Sequence, residues 1–277
     1  MTTDEKVEKI QEIIKLKVLG VWESCHDDSG HRYRNTKTGH VQRSVTTKLA
    51  ILSKPHLLAW GVKMGALWLM EGDRAQQLLN PNATEAMIQG MQMAHTDIRD
   101  NAGAIGNSAH SGIQRWINQG IADGYMSEDI IFFAPPNCDT RAIAAMRSVQ
   151  KLFKEKNIIP IASEIIVGDI LFSAGQLDFL CFWDGDLCLV DWKSSNQVSQ
   201  EYILQVVGYL KFWESMTGIK IKKAKIAHIS KDSDKYTIYK VPNFGKAWKA
   251  FKQICHVYDW KIDKSNALKK DIKIISI

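Results

Sequence analysis

Apolar positions recur with a helical period through most of the first part of the chain. Those within residues 7–14 fall on one helical face and predict a helix over 4–19. Turn-rich stretches on either side of HRYR predict a short hairpin within 21–43. Ser44 is a candidate N-cap for a helix that ends before Pro55. Further helices are predicted over 56–71, 81–100, 104–122 and from the PPNCD segment to about 155.

The pattern becomes β-rich in the second part of the chain. Three apolar runs predict three strands, and Asp184-Gly185 between the second and the third is typical of a two-residue hairpin loop. A helix over 199–216, two strands joined by KDSD and a helix over 244–260 follow. This β-β-β-α-β-β-α order predicts an α/β fold with a mixed sheet, preceded by a mainly helical amino-terminal part.

The hairpin brings charged residues together on apolar strands. Counting outward from its two-residue loop places Asp178 opposite Asp191 and Gln176 opposite Lys193. Facing Cβ atoms lie roughly 4.5–5.5 Å apart, so the two carboxylates repel unless a divalent cation lies between them. Alternation along the strand puts Lys193 on the same face as Asp191. A buried Asp–Lys pair or two exposed carboxylates remain the alternatives, although strands this apolar disfavour unpaired charge.

The same residues carry a family resemblance. Asp178 in GQLDF, Asp191 and Lys193 in LVDWKSS, and Gln205 and Tyr209 in QVVGYL form an Asp/Asp-x-Lys/Gln-x-x-x-Tyr pattern. In this pattern the chain resembles the RecB-like branch of the PD-(D/E)XK nuclease superfamily, in particular the mitochondrial genome maintenance exonucleases and phage nucleases. The resemblance covers about residues 100–260 and, more loosely, SVTTKLAILSKPHLLAW.

The resemblance implies further site residues. Glu164 matches an acidic position of that branch, and His110 matches its upstream metal-binding histidine. With Asp178, Asp191 and the backbone carbonyl of Trp192, they would bind one or two Mg²⁺ or Mn²⁺ ions, while Lys193, Gln205 and Tyr209 would act on substrate and water. The proline that often precedes the first aspartate is replaced by Leu177. The cysteines that hold an iron–sulfur cluster in some relatives are missing, so no cluster is expected.

The resemblance also implies an architecture and an activity. The fold would be a restriction-endonuclease-like mixed central sheet flanked by helices, with the nuclease core over 158–262. Residues 1–157 would form a wall or arch over the site, and 263–277 a tail. The expected activity is a metal-dependent DNA exonuclease that acts on single-stranded ends or flaps and leaves 5′-phosphates. A nitrogen ligand such as His110 favours Mn²⁺ over Mg²⁺.

Other functions stay open at this point. An endonuclease of the same fold, of the restriction or junction-resolving type, would differ in cutting substrates without ends. A catalytically silent nucleic-acid-binding module would fit less well, because such proteins usually lose the aspartates or the lysine. A structural helical protein with an incidental hairpin does not explain the opposed aspartates.

Two further groups of residues have a second interpretation. Cys25, His26, His31 and His40 suggest zinc, but their spacing fits no closed site. Trp60, Trp68 and Trp116 are candidates for base stacking, although tryptophans at helical spacing are more often core residues.

Composition and charge set the broad class. The net charge of +6 and the pI near 8.9 are compatible with a polyanionic partner such as DNA. No apolar run approaches the roughly 18 residues of a membrane span, and the charged amino terminus lacks the features of a signal or transit peptide. The five cysteines show no CxxC spacing. We therefore expect a cytoplasmic protein without membrane partners; its oligomeric state is open.

Overall fold

The computed structural model describes residues 2–27, 30–52, 54–77, 79–80, 84–195 and 197–262. The predicted tail over 263–277 lies outside these residues. The helices are α1 (Thr3–Lys17), α2 (Val45–Leu49), α3 (Pro55–Met70), α4 (Arg74–Gln77), α5 (Thr84–Asp123), α6 (Thr140–Glu155), α7 (Glu201–Thr217) and α8 (Phe244–Ile262), with a short 3-10 helix at Ile130–Phe133. The strands are β1 (Trp22–Asp27), β2 (Gly30–Asn35), β3 (Val41–Arg43), β4 (Ile158–Asp169), β5 (Ser173–Trp183), β6 (Asp186–Lys193), β7 (Lys223–Ile229) and β8 (Tyr236–Lys240).

The strands form two sheets. The central sheet has the order β4-β5-β6-β7-β8, in which β6 and β7 are parallel and the other neighbours are antiparallel. A second, antiparallel sheet has the order β1-β2-β3, so the expected hairpin has a third strand. The predicted α/β class with a mixed central sheet is confirmed, while the narrower restriction-endonuclease-like assignment stays a prediction.

Helices cover both faces of the central sheet. Leu180 belongs to a core formed with α1, α2, α7 and α8, whereas the next residue, Cys181, belongs to a core formed with α5 and α6. Because successive side chains of a strand point to opposite faces, the two cores lie on opposite faces of the sheet. Residues from both sides of position 157 contribute to each core, and the predicted domain division there stays a prediction.

The β5–β6 hairpin has the predicted loop and register. Trp183 pairs with Asp186, and Asp184 and Gly185 between them have φ angles of 51° and 81°. Positive φ at both loop residues is the requirement of a type I′ turn, which matches the twist of the strands. The ladder ends at Phe179 and Val190. The register counted from the loop is confirmed for these paired residues, while Asp178 and Asp191, the next two positions, lie just beyond the end of the ladder.

One long helix replaces two predicted ones. The sequence suggested helices over 81–100 and 104–122, but α5 runs through both without interruption. The residues between the two predicted helices include Gly103, but a glycine inside a helix costs only about 1 kcal/mol relative to alanine. The interval contains no proline, which would be needed to force an end. The local signal was therefore too weak to divide the helix.

Glycines bring α3 and α5 into close contact. A Cβ on Gly65 would lie 2.9 Å from the carbonyl oxygen of Met91, and a Cβ on Gly90 would lie 2.2 Å from the ring of Trp68. Small residues at these positions allow the two helices to approach. The first half of α5 thus forms an antiparallel helix pair with α3, while its second half packs on the central sheet.

Local caps define several of the shorter elements. The Ser44 side chain accepts a hydrogen bond from the Thr47 amide at 3.0 Å and caps α2, as predicted. The Asp139 carboxylate caps α6 through the Arg141 amide. Gly218, with φ 77°, ends α7. Within the described ranges, no helix combines the length and the apolar character needed to cross a bilayer.

Candidate functional site

A polar groove runs between α5 and the ends of the central strands. Its volume is about 690 Å³. One wall is formed by a polar face of α5, and the opposite wall is formed by β4, by the end of β6 and by the start of α7. Gly106 lets α5 come close to the β6 end, because a Cβ there would lie 3.3 Å from Ser194 Oγ. The groove brings a helix of the first part of the chain to the predicted site residues.

Three side chains in this region form a group suited to a cation. His110, Glu164 and Asp178 each offer a ligand atom, and these atoms all lie within 4.8 Å of one another. His110 Nδ1 is 3.7 Å from Glu164 Oε1 and 3.9 Å from Asp178 Oδ2. One imidazole nitrogen and two carboxylates are a donor set that first-row divalent ions accept, and carboxylates also suit Mg²⁺. The residues therefore fit the predicted Mg²⁺ or Mn²⁺.

The electrostatics of His110 reflect this acidic surrounding. Burial alone would lower the pKa of the imidazole, but the negative charges of Asp178 and Glu164 outweigh it. The net pKa of His110 is raised. The site thus attracts positive charge, and a metal ion bound there would compete with a proton on His110.

Glu164 reaches the group through an unusual backbone conformation. Its φ is 55°, although it lies inside β4. A non-glycine residue in this region costs about 1–3 kcal/mol and persists only where the surroundings fix it. The pairs Ser163–Phe179 and Ile165–Leu177 hold the strand on both sides, and Gln176 Nε2 donates to the Glu164 carbonyl at 3.0 Å. Such strain is typical of functional positions.

Asp178 lies where the β5–β6 ladder stops. Its Oδ2 accepts a hydrogen bond from the Trp192 amide at 2.8 Å, so a side chain takes the place of a strand carbonyl. This bond explains why the ladder ends before Asp178 and Asp191. Burial raises the pKa of Asp178, and Glu164 adds to the effect, while Lys193 and His110 oppose it. The charged carboxylate is thus disfavoured in the absence of a cation.

Asp191 and Lys193 form a buried ion pair next to this group. Lys193 Nζ is 2.5 Å from Asp191 Oδ2, whereas the other carboxylate oxygen, Oδ1, has no hydrogen-bond partner among the described residues. Burial raises the pKa of Asp191 to about 7, with Asp178 adding to the shift and Lys193 opposing it. Buried polar atoms without partners are rare in proteins and indicate a site for an ion or water. Asp191 is not part of the group of three, and an ion shared by Asp178 and Asp191 stays a prediction.

The Lys193 ammonium contacts Asp191, and the Lys193 side chain also lines the groove. Burial alone would lower its pKa, but Asp191 and Asp178 outweigh this and the net pKa is raised. The ammonium also lies 5.1 Å from the centre of the Tyr202 ring. Lys193 lines the groove and stays protonated at neutral pH, so it presents a fixed positive charge there.

Gln205 and Tyr209 lie on α7 behind the aspartates. Gln205 Nε2 donates to the Tyr209 hydroxyl at 3.2 Å, and both side chains are buried. Burial raises the pKa of Tyr209 well above its usual value, and Asp178 and Asp191 contribute. The motif residues are therefore adjacent to the carboxylates, although their roles toward substrate or water stay predictions.

Two residues that the sequence interpretation missed support this arrangement. A Cβ on Gly175 would lie 2.6 Å from Tyr209 Cε1, so only glycine leaves room for the ring. Tyr33, from the smaller sheet, is buried, and its pKa is raised to about 12 by burial and by the charge of Glu164. A glycine inside a strand pattern was a usable signal for the first. No local signal connects Tyr33 with a site more than a hundred residues away.

The alternative interpretations of other residues receive no support. The rings of His26 and His31 are 4.9 Å apart, and His31 Nε2 is hydrogen bonded with Ser24 at 2.8 Å. Among the residues that the structure describes, no group of three potential metal ligands forms there. Trp116 is buried and donates to the Ser127 carbonyl at 3.0 Å, which makes it a core residue.

The structure thus brings the predicted residues to one region in three subsets. His110, Glu164 and Asp178 form the candidate cation-binding group, Asp191 and Lys193 form the ion pair, and Gln205 and Tyr209 lie behind them. Trp192 contributes its amide to Asp178, and the metal-binding role of its carbonyl stays a prediction.

Comparison with known proteins leaves the family open. No protein-family model and no curated protein matches the chain, so the assignment of a function depends on the geometry described above.

Proposed function

We propose that the protein is a metal-dependent nuclease that hydrolyses phosphodiester bonds in DNA. The observation that carries this proposal is the group His110, Glu164 and Asp178 beside a buried Asp191–Lys193 pair at an open polar groove. A cation-binding group next to a fixed ammonium matches the charge that a phosphodiester develops during hydrolysis. The motif resemblance to RecB-like nucleases points to the same chemistry.

The cation would be Mg²⁺ or Mn²⁺. His110, Glu164 and Asp178 would hold it, with Asp191 as a further carboxylate nearby. When bound, such an ion supplies a Lewis acid that polarises the phosphate and lowers the pKa of water. The imidazole ligand favours Mn²⁺.

The protein side chains orient the substrate and stabilise charge. Lys193 Nζ would contact a phosphoryl oxygen and offset the negative charge that builds up on it. Asp191 keeps the Lys193 ammonium charged and in place. Asp178 is itself fixed by the Trp192 amide, so its position does not depend on the substrate. Gln205 and Tyr209 hold each other and support the carboxylates from behind.

The substrate would be single-stranded DNA. The net charge of +6 is compatible with a polyanion. The helix pair formed by α3 and the first half of α5 would be the arch of the RecB-like exonucleases, through which one strand passes. We propose that the enzyme acts inside the cell, where its five free cysteines stay reduced.

Metal-dependent cleavage is the first expected result. Single- and double-stranded oligonucleotides labelled at the 5′ or the 3′ end are incubated with Mg²⁺, Mn²⁺ or EDTA. We expect cleavage of the single strand to 5′-phosphate products, faster in Mn²⁺ than in Mg²⁺, and none in EDTA. Equal cleavage in EDTA, or none with either metal, would contradict the proposed function.

Dependence on a free end is the second expected result. We expect a linear single strand to be degraded in Mn²⁺, while a covalently closed circle of the same sequence resists, because a circle cannot be threaded. Gel electrophoresis of both substrates over one time course measures the difference. Rapid cutting of the circle would instead favour an endonuclease on the same fold.

A further inference from the structure

A second lysine, Lys231, lines the same groove as His110 and Lys193. It lies in the turn between β7 and β8, on the sheet side of the groove. Lys193 is paired with His228 in the parallel β6–β7 ladder, three residues before Lys231. Because β7 ends at Ile229, Lys231 lies beyond the end of the strand that pairs with Lys193. The groove therefore has two separate cationic positions.

The turn that carries Lys231 is held in place. The fully buried Ser148 hydroxyl of α6 is within hydrogen-bond distance of the Ser233 carbonyl, at 3.1 Å, and of the Ser230 carbonyl, at 3.4 Å. Ser230 Oγ in turn accepts from the amides of Asp232 and Ser233, each at 3.2 Å. The hydrogen bonds within the turn and the bond from α6 hold the turn in one conformation. They therefore fix the backbone position of Lys231.

The charge of Lys231 is not fully compensated. Among the residues that the structure describes, none forms an ion pair with it, and its pKa is lowered by burial and by the nearby Arg141, with Asp232 and Asp139 opposing. One of these two acids, Asp139, is itself engaged by the Arg141 guanidinium at 2.9 Å. An anion in the groove would therefore offset the free-energy cost of partly burying the charged Lys231 side chain.

Uncharged polar groups face Lys231 across the groove. Asn107, Ser111 and Gln114 of α5 line it together with the small residues Gly103 and Gly106. Amides and hydroxyls of this kind contact phosphate and sugar oxygens in nucleic-acid complexes. The small residues leave the groove open along the helix, so a chain of phosphates has space to continue beyond Lys193.

We propose that Lys231 and the polar face of α5 form a second phosphate subsite, which binds a phosphate next to the scissile one on the same DNA strand. This inference rests on the proposed nuclease function. Lys231 is a positioning residue in it, because it holds the strand and does not touch the reacting phosphate. The groove then recognises a polynucleotide rather than an isolated phosphodiester.

The test compares Lys231→Ala with Lys235→Ala, which removes an exposed lysine of the same turn that does not line the groove. The substrates are a single-stranded oligonucleotide and thymidine 5′-(p-nitrophenyl phosphate), which has one phosphodiester and no flanking phosphate. For Lys231→Ala we expect KM for the oligonucleotide to rise about tenfold, as for loss of one charge-assisted contact, with kcat little changed. The ratio of kcat/KM for the oligonucleotide to that for the small ester should fall about tenfold, whereas Lys235→Ala should keep the ratio of the parent protein.

Two outcomes would overturn the subsite. Lys231→Ala could lower kcat/KM equally on both substrates, which would show an effect on the fold or on the scissile phosphate. Alternatively, Lys235→Ala could match Lys231→Ala, which would show a general effect of charge.

A binding measurement separates this proposal from the nuclease function. Fluorescence anisotropy of a labelled single strand in EDTA gives the dependence of log K on log salt, whose slope should fall by about 0.7 in Lys231→Ala. If the parent protein binds in this way but cleaves neither substrate, the nuclease proposal fails and the subsite stands. If the parent protein cleaves but the slope is unchanged in Lys231→Ala, the subsite fails alone.

Discussion

Replacement of Lys193 by alanine is expected to slow cleavage of a single strand in Mn²⁺ by about 100- to 1000-fold. This is the range for loss of one preorganised group that stabilises transition-state charge. The variant also removes the positively charged ammonium group beside the buried Asp191, and this ammonium lowers the pKa of Asp191, which is about 7 in the parent protein. The pKa of Asp191 should rise further, so its carboxyl is protonated at neutral pH and the fold is kept. Initial rates on a labelled oligonucleotide measure the effect.

The matched control is Lys223→Ala. Lys223 also pairs with an aspartate of β6, Asp186, at 2.5 Å, but both side chains are about half exposed and lie at the opposite end of the strand. This change should leave the cleavage rate within about twofold, because exposed ion pairs contribute little. Circular dichroism establishes that both variants are folded. A folded Lys193→Ala protein that cleaves as fast as its parent would remove Lys193 from the mechanism.

Asp178→Asn should change stability in opposite directions with and without metal. The raised pKa of Asp178 means that its charged form destabilises the metal-free fold at neutral pH, while an asparagine keeps an oxygen for the Trp192 amide. In EDTA the variant should therefore melt no lower than the parent protein. In Mn²⁺ the parent should gain about 5 °C or more, since ligand at 100 times Kd adds about 2.7 kcal/mol. The variant should gain little and should lose cleavage.

Differential scanning calorimetry with and without Mn²⁺ measures both effects. Asp97→Asn, which changes an exposed aspartate of α5, is the control and should keep the full metal-dependent gain. The raised pKa of Asp178 also predicts the effect of low pH. Protonation of Asp178 removes the destabilising buried charge, so the difference in melting temperature between parent and variant in EDTA should disappear as the pH falls. An Asp178→Asn protein with the parent's gain in Mn²⁺ would exclude Asp178 as a ligand.

The central hairpin shows how far local sequence signals reach. Asp184-Gly185 has the conformational freedom that a type I′ turn requires, and from it the register follows by counting. The point where the ladder stops could not be derived in this way. It depends on a hydrogen bond from the Trp192 amide to the Asp178 side chain. A hydrogen bond of this kind produces no recognisable pattern of residues in the sequence.

The grouping of the ligands also depends on tertiary structure. The motif predicted each of the carboxylates, but it suggested that Asp178 and Asp191 share an ion. In the fold, the left-handed backbone of Glu164 turns its side chain to His110 and Asp178, while Lys193 engages Asp191. Positive φ at a glutamate has no compositional signal, because it is imposed by neighbouring strands. The family resemblance therefore predicted which residues lie at the site, but only the three-dimensional structure shows which of these side chains contact one another.

The length of α5 links two distant parts of the molecule mechanically. Its 40 residues span about 60 Å, and they carry both the segment that packs on α3 and the candidate metal ligand His110. The part around His110 is clamped by buried residues such as Ile113 and Trp116. Because α5 is one continuous helix, a tilt of the whole helix would move its contact with α3 and the His110 imidazole together.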